Sequence, residues 1–254
     1  MTSPLPQIVQ DVTGGHAPRV WSLLVTIFGD LALGDGAEIS GQALGPLTDA
    51  IGIKPEAVRT ALHRLRKDGW IESERRGRHS VHRLSPWGRA QSRAASPRIY
   101  GAEPLAQRAF VVVHDRPPEG ASRDGAWVAP TICIASQPSL SADVFTAEVT
   151  VDQTLPRWMS AKLCPVPLVA QAAALERGLA RCTARLDAMP LVARHDVAVL
   201  RVLVVHEWRR IVLRLPDLPD RVFPPDWAGP ACRAHVAALL ARHPRVTLAE
   251  DATG

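Results

Sequence analysis

From Pro18 onward the apolar positions fall at helical spacing. Val20, Leu24, Ile27, Phe28 and Leu31 predict a first helix, broken by Gly34-Asp35-Gly36. Ser40 is placed to cap a second helix that shows Leu44, Leu47 and Ile51 on one side and ends at Gly52. Pro55 fits the first turn of a third helix. In that helix Val58, Leu62 and Leu65 turn inward, while Arg59, Thr60, His63, Arg66 and Lys67 turn outward, and Asp68-Gly69 stops it. The pattern then shortens to the alternation of strands. Residues 70–75 and 79–84 are strand candidates on either side of a basic turn, Arg76-Gly77-Arg78. Ser85-Pro86 can open a short helix running to Ala95.

Beyond this point the composition shifts twice. Residues 96–107 read as a linker, and residues 108–114, 126–134 and 144–151 are rich in Val, Ile and Thr between Pro/Gly/Ser breaks, as strands are. After Pro167 the helical period returns, over Leu168 to Leu186 and over Leu191 to about Leu213. The second of these is apolar nearly all round from Val197 to Val205, which predicts a buried helix. A proline-rich stretch through Trp227 leads to a last helix over Pro230 to His243. Residues 1–17, with Pro4, Pro6 and Gly14-Gly15, read as a flexible tail. The expected class is α+β: a helix–hairpin unit over 18–95, a small β-rich unit over 108–165 and a helical unit over 166–254. Three helices followed by a hairpin with an arginine-rich tip is the winged helix-turn-helix order, in which the third helix enters the major groove.

Charge sharpens that reading. The chain of 254 residues carries a net charge of only +5. Between Lys54 and Arg98, however, twelve Lys and Arg stand against four acids, a local excess of eight, so the remainder is net acidic. The excess falls on the third helix and the hairpin, where a protein that binds a phosphate backbone needs it. Composition, at 46% hydrophobic and 22% charged, excludes a disordered or fibrous chain. The densest early apolar stretch, Val20 to Phe28, is too short for a membrane span. Asp11 stands where a secretory signal needs basic residues. Cys133, Cys164, Cys182 and Cys232 form no CxxC pair, which argues against a zinc or disulfide framework and fits a reducing, cytoplasmic setting.

Catalytic motifs find little support. The chain has no GxGxxG, GxxxxGKS/T or GxSxG. His206-Glu207 resembles the start of a zinc-protease helix, but Arg210 stands where the second histidine is required. Asp115, just after a strand, is a position from which a carboxylate could hold a metal in a nuclease, although an Asp beside Arg116-Pro117-Pro118 is more simply a turn former.

A family resemblance accounts for more of the chain. Trp21 to Asp30, Val58 to Leu65 running into Asp68-Gly-Trp-Ile71, the hairpin tip Arg76 to Ser80 and the segment Arg98-Ile-Tyr-Gly101 resemble the PaaX family of phenylacetate-catabolism repressors. So do His206-Glu-Trp-Arg-Arg210, Asp217-Leu-Pro219 and Pro225-Asp-Trp-Ala-Gly229 far downstream. The resemblance implies a winged-helix domain, a ferredoxin-like middle domain and a helical C-terminal domain. It also implies a homodimer on a palindromic operator of double-stranded DNA, released by an aryl-acyl-CoA effector such as phenylacetyl-CoA. One departure stands out: the residues between the strand ending at His114 and the one beginning near Ala126 are too few for a crossover helix, so the middle domain is trimmed.

The candidate DNA-contacting residues are Lys54, Arg59, Thr60, His63 and Arg64 on the third helix and Arg75, Arg76, Arg78 and Ser80 on the hairpin. Arg can take guanine O6 and N7 together, so the helix is expected to read bases and the hairpin to hold phosphates. Arg64 is equally placed to pair within its own domain. For an anionic CoA thioester the candidates are Trp208, Arg209, Arg210, Arg214 and Trp227, which combine cations with aromatic walls. The competing use of those five is to lock the C-terminal unit onto the others. No catalytic residue, metal or cofactor is expected. The alternatives are a magnesium-dependent nuclease using Asp115 and a nucleic-acid-binding module with no effector.

Overall fold

A computed structural model describes residues 3–77, 79–117, 125–191 and 193–246. The first helix, α1 (Leu5–Thr13), lies where a flexible tail is expected. Leu5, Ile8 and Val12 have helical spacing and are buried, Pro6 is tolerated in the first turn, and Gly14 closes the helix at a φ of 62°. It is held against the later helices by Asp11, which accepts from Arg181 at 3.1 Å and Arg185 at 3.0 Å.

The helix–hairpin unit follows the expected order with one addition. It comprises α2 (Val20–Leu31), β1 (Ile39–Ser40), α3 (Gly41–Asp49), α4 (Pro55–Lys67), β2 (Ile71–Arg76), β3 (His79–Leu84) and α5 (Pro86–Tyr100). Strand β1 is the addition. It pairs antiparallel with β3, Ile39 opposite His82, giving a three-stranded sheet in the order β1-β3-β2. Ser40 then caps α3 by accepting from the Ala43 amide at 3.1 Å. Ser85 caps α5 in the same way through the Gly88 amide. Helix α5 runs five residues past Ala95, so the first half of the expected linker is helical.

The second sheet contains β4 (Phe110–His114), β5 (Ala126–Ala129), β6 (Ile132–Ala135) and β7 (Val144–Glu148) in the order β5-β6-β4-β7, antiparallel throughout. The strand expected over 126–134 is a hairpin, turned at Pro130-Thr131. The remaining helices are α6 (Arg157–Leu163), α7 (Val166–Ala188), α8 (Arg194–Val212) and α9 (Gly229–Arg242). No helix of the described residues is long and apolar enough to cross a membrane.

Helix α8 is the centre of the molecule. It packs against α1, α2, α5, α7 and α9, and its residues 198–208 are all buried. Because α2 packs on both α8 and α4, one continuous hydrophobic core runs from Leu5 to Leu239. A buried ion pair crosses it: Asp30 on α2 accepts from Arg201 on α8 at 3.0 and 3.2 Å and from the Tyr100 hydroxyl at 3.0 Å. The helix–hairpin unit is therefore seated firmly on the C-terminal helices.

Candidate nucleic-acid interface

Helix α4 buries Val58, Ala61 and Leu65 against α2, half-buries Ala57 and Leu62, and exposes its remaining residues. Its exposed residues form two stripes, each at i, i+4, i+7 spacing: Arg59, His63 and Arg66 on one, Thr60, Arg64 and Lys67 on the other. Arg59 and Arg66 of the first stripe, but not His63, border a groove of about 550 Å³. Arg59, Leu62 and Arg66 line it from α4, Gln42 and Gly45 from α3, and His79 and Ser80 from β3. Helix α4 and the hairpin strand thus form two walls of one trough, in which Arg59 and Arg66 outnumber Asp49. His82 sits in the wall below them, bonded to Ser73 Oγ at 2.7 Å. Burial, and then the Arg66 charge, pushes its imidazole below the ordinary value, so at neutral pH it adds no charge to the trough.

Individual candidates differ in how committed they are. Lys54, Thr60 and His63 are exposed, and Thr60 donates to the Glu56 carbonyl at 2.9 Å. Arg59 reaches only Glu56, at 2.9 Å, and both side chains are largely in water, so the pair is weak and easily exchanged for a phosphate or a base. Arg64 is exposed but engaged with neighbours of its own unit. It lies 3.6 Å from Asp68 and over the Trp21 ring at 5.9 Å, while Trp21 Nε1 donates to the same Asp68. That is the pairing within its own domain to which Arg64 was equally suited.

On the hairpin, Arg75 is exposed and donates only to the Gly77 carbonyl at 3.3 Å. Ser80 is exposed on the trough. Arg76 is clamped between Glu38 at 2.5 Å and Glu74 at 3.2 Å, and these partners hold its guanidinium in the charged form. It therefore has less positive field to offer than its place at the tip implies. Arg78 lies outside the described residues. Arg66 and Gln42 belong to the trough, though sequence reasoning did not select them. The signal for Arg66 was the i+7 step from Arg59; for Gln42 there was none, because its position depends on how α3 packs beside α4.

Two family profiles match the chain: residues 19–88 match the one described as PaaX-like protein, and residues 171–247 match the PaaX-like protein C-terminal domain. The transcriptional repressor PaaX of Escherichia coli (strain K12) is 30% identical over 269 residues, covering 91% of this chain and 82% of that protein. The chain belongs to the PaaX-like family. Among solved structures, the uncharacterized protein Rv0674 from Mycobacterium tuberculosis is 18% identical, with a TM-score of 0.46 over 87% of this chain and 94% of that one.

In this PaaX-like chain the residues picked for an effector do not gather around one cavity. Trp208 is fully buried, with its Nε1 donating to the Ile99 carbonyl at 3.1 Å and Arg233 stacked on its ring. Arg209 donates to Thr26 Oγ1 at 3.0 Å and to the Ser22 carbonyl, fastening α8 to α2. Arg210 is held by Glu207 at 3.0 Å and reaches His16. Arg214 is exposed and touches Gln171, and Trp227 is buried with its Nε1 on Asp220 at 3.0 Å. Three of these contacts, those of Trp208, Arg209 and Arg210, tie α8 to elements on the N-terminal side, which is the locking use. Asp115 is an exposed bend residue after β4. Among the described residues, no group of three or more His, Cys, Asp or Glu side chains is placed to hold a metal ion.

Proposed function

We propose that this chain is a transcriptional repressor whose helix–strand–helix–helix–hairpin unit is a winged helix. Helix α4 enters the major groove, and the β2–β3 hairpin lies along the adjacent backbone. The observation that carries this is the trough itself. Arg59 and Arg66 on α4 face the same groove as His79 and Ser80 on β3, so a helix fit for base edges and a strand fit for phosphates are presented side by side. The repressor named among its relatives supports the direction of regulation. The strand order β5-β6-β4-β7 supports a ferredoxin-like reading of the middle unit; the connection over 136–143 holds no helix, and most of the connection expected to be trimmed, between His114 and Ala126, lies outside the described residues.

A homodimer would set two α4 helices about 34 Å apart on a palindromic operator. We also propose that an aryl-acyl-CoA releases the DNA by binding better to a dimer geometry that breaks that spacing. The resemblance supports this effector class, and the ligand's seat is left to the experiment. Fluorescence anisotropy with DNA from just upstream of the chain's own gene, against a scrambled duplex, tests both parts. Specific binding reversed by phenylacetyl-CoA is the expected result. Specific binding that ignores the thioester discards this effector, and equal binding to both duplexes discards this operator.

A further inference from the structure

Helices α2, α5 and α8 meet around a small cavity of about 50 Å³, where the helix–hairpin unit rests on the C-terminal helices. Its walls are helical except for Trp70 at the root of β2. Val25, Ala95 and Val205 give it apolar sides, and Gly29 leaves it open by carrying no side chain. The Ser92 hydroxyl also lines it, and the Gln91 amide stands at its exposed rim.

The charged group of this cavity is Arg209. From Nη1 it donates to Thr26 Oγ1 at 3.0 Å and to the Ser22 carbonyl at 3.4 Å, and both partners are neutral. Thr26 Oγ1 donates its own proton to the Ser22 carbonyl at 3.1 Å, so it accepts from Arg209 and from His206 Nδ1 at 3.0 Å and has no capacity left. His206, pushed down to about 3, is itself neutral at physiological pH. Tyr100, which also lines the cavity, keeps its proton, because burial and then the Asp30 carboxylate push its hydroxyl up. Arg210, one residue on, is balanced by Glu207 at 3.0 Å. Arg209 is in no ion pair among the described residues, and burial pushes its guanidinium below the ordinary value. Its hydrogen bonds at Nη1 are made but its charge is not matched. A half-buried cation in that condition favours an anion beside it.

We infer that this cavity is a binding site for a small carboxylate, held by the Arg209 guanidinium and the Ser92 hydroxyl, with its short alkyl end against Val25, Ala95 and Val205. One unmatched cation beside apolar sides suits a monoanion with a small apolar end better than a phosphate dianion. The inference is independent of the DNA reading and of the acyl-CoA effector, whose bulk far exceeds this space. It is tested on the full chain by saturation-transfer NMR titration with acetate and acetamide, which share a shape and differ by a charge. Chloride holds the ionic strength constant. Acetate should bind with a Kd of about a millimolar, as its few heavy atoms allow, and acetamide several-fold more weakly. Arg209→Gln keeps an amide donor for Thr26 and Ser22 without the charge. It should weaken acetate about tenfold and leave acetamide unchanged. In Gly29→Ala the added Cβ meets Ser92 Oγ at 3.6 Å, an ordinary contact, so the fold and the Arg209 charge are kept while the cavity narrows. That variant should weaken both ligands several-fold, and it serves if Arg209→Gln does not fold. Failure of acetate to bind, acetate binding no tighter than acetamide, or acetate binding unchanged in either variant overturns the assignment.

Discussion

At the scale of single residues, the proposed DNA-binding face divides into side chains expected to read bases and side chains expected to hold phosphates. Arg59 is exposed on the groove with one weak partner, so Arg59→Ala should cost about 1–3 kcal/mol on the best operator and relax preference at one base pair. Arg75 has no acid partner among the described residues, and Arg75→Ala should weaken all sequences alike and flatten the salt slope by about one unit. Arg76→Ala should change less, because Glu38 and Glu74 already neutralise that guanidinium. Anisotropy titrations at several salt concentrations distinguish the three, and an identical loss of specificity in Arg59→Ala and Arg75→Ala contradicts the division.

His206 makes a second prediction at this scale. Fully buried, with Nδ1 3.0 Å from Thr26 Oγ1, its imidazole is pushed down to about 3 by burial first and by the Arg210, Arg209 and His16 charges after. The unfolded chain takes up that proton near 6.5 while the folded chain refuses it. Stability therefore falls as pH drops below about 6.5, by about 2 kcal/mol at pH 5 from this group. His82 and His243, also lowered by burial, act in the same direction, whereas Glu207, raised by burial, offsets them at more acidic pH. The melting temperature should fall between pH 7.5 and pH 5. His206→Asn, which keeps a polar atom beside Thr26, should flatten that fall.

At the scale of elements, α1 is a structural clamp in place of a tail. Ile8 is fully buried among α7 and α8, so Ile8→Ala should cost about 2–5 kcal/mol. Gly178 on α7 is the complementary position, because a Cβ there would collide with the Asp11 backbone carbonyl. Gly178→Ala should force the two helices apart and loosen the Asp11 bonds to Arg181 and Arg185. Urea denaturation measures both losses. Wild-type stability in Ile8→Ala would show that α1 contributes nothing to the fold.

At the scale of the whole molecule, the Asp30–Arg201 pair links the helix–hairpin unit to the C-terminal helices. Arg201 is fixed further by the Leu240 and His243 carbonyls. Asp30→Ala leaves that guanidinium buried and uncompensated, and should cost about 3–5 kcal/mol by urea denaturation. Arg98 joins the same two parts at the other end of α8, through the Val212 and Leu215 carbonyls.

Much of this was legible from sequence, for physical reasons that differ along the chain. Helices α2, α3 and α4 and the β2–β3 hairpin announce themselves because one side of each is buried and the other wet, and because Ser40, Pro55 and Gly69 mark their ends. The basic stripe on α4 followed from the same periodicity. Helix α1 was hidden although its apolar spacing is regular, since Pro4, Pro6 and Gly14-Gly15 weigh as loop residues until a partner surface exists. Strand β1 is two residues long, and nothing local distinguishes it; its pairing with β3 creates it. Only tertiary packing decided what the charged residues of α8 do. Arg209 and Arg210 look from the sequence like free cations for a ligand, yet burial requires a polar partner for each, and Thr26 and Glu207 supply it. Periodicity, a local property, determined the elements and the basic face. The clamp and the buried ion pair join residues far apart in the chain, and no local pattern encodes such pairings.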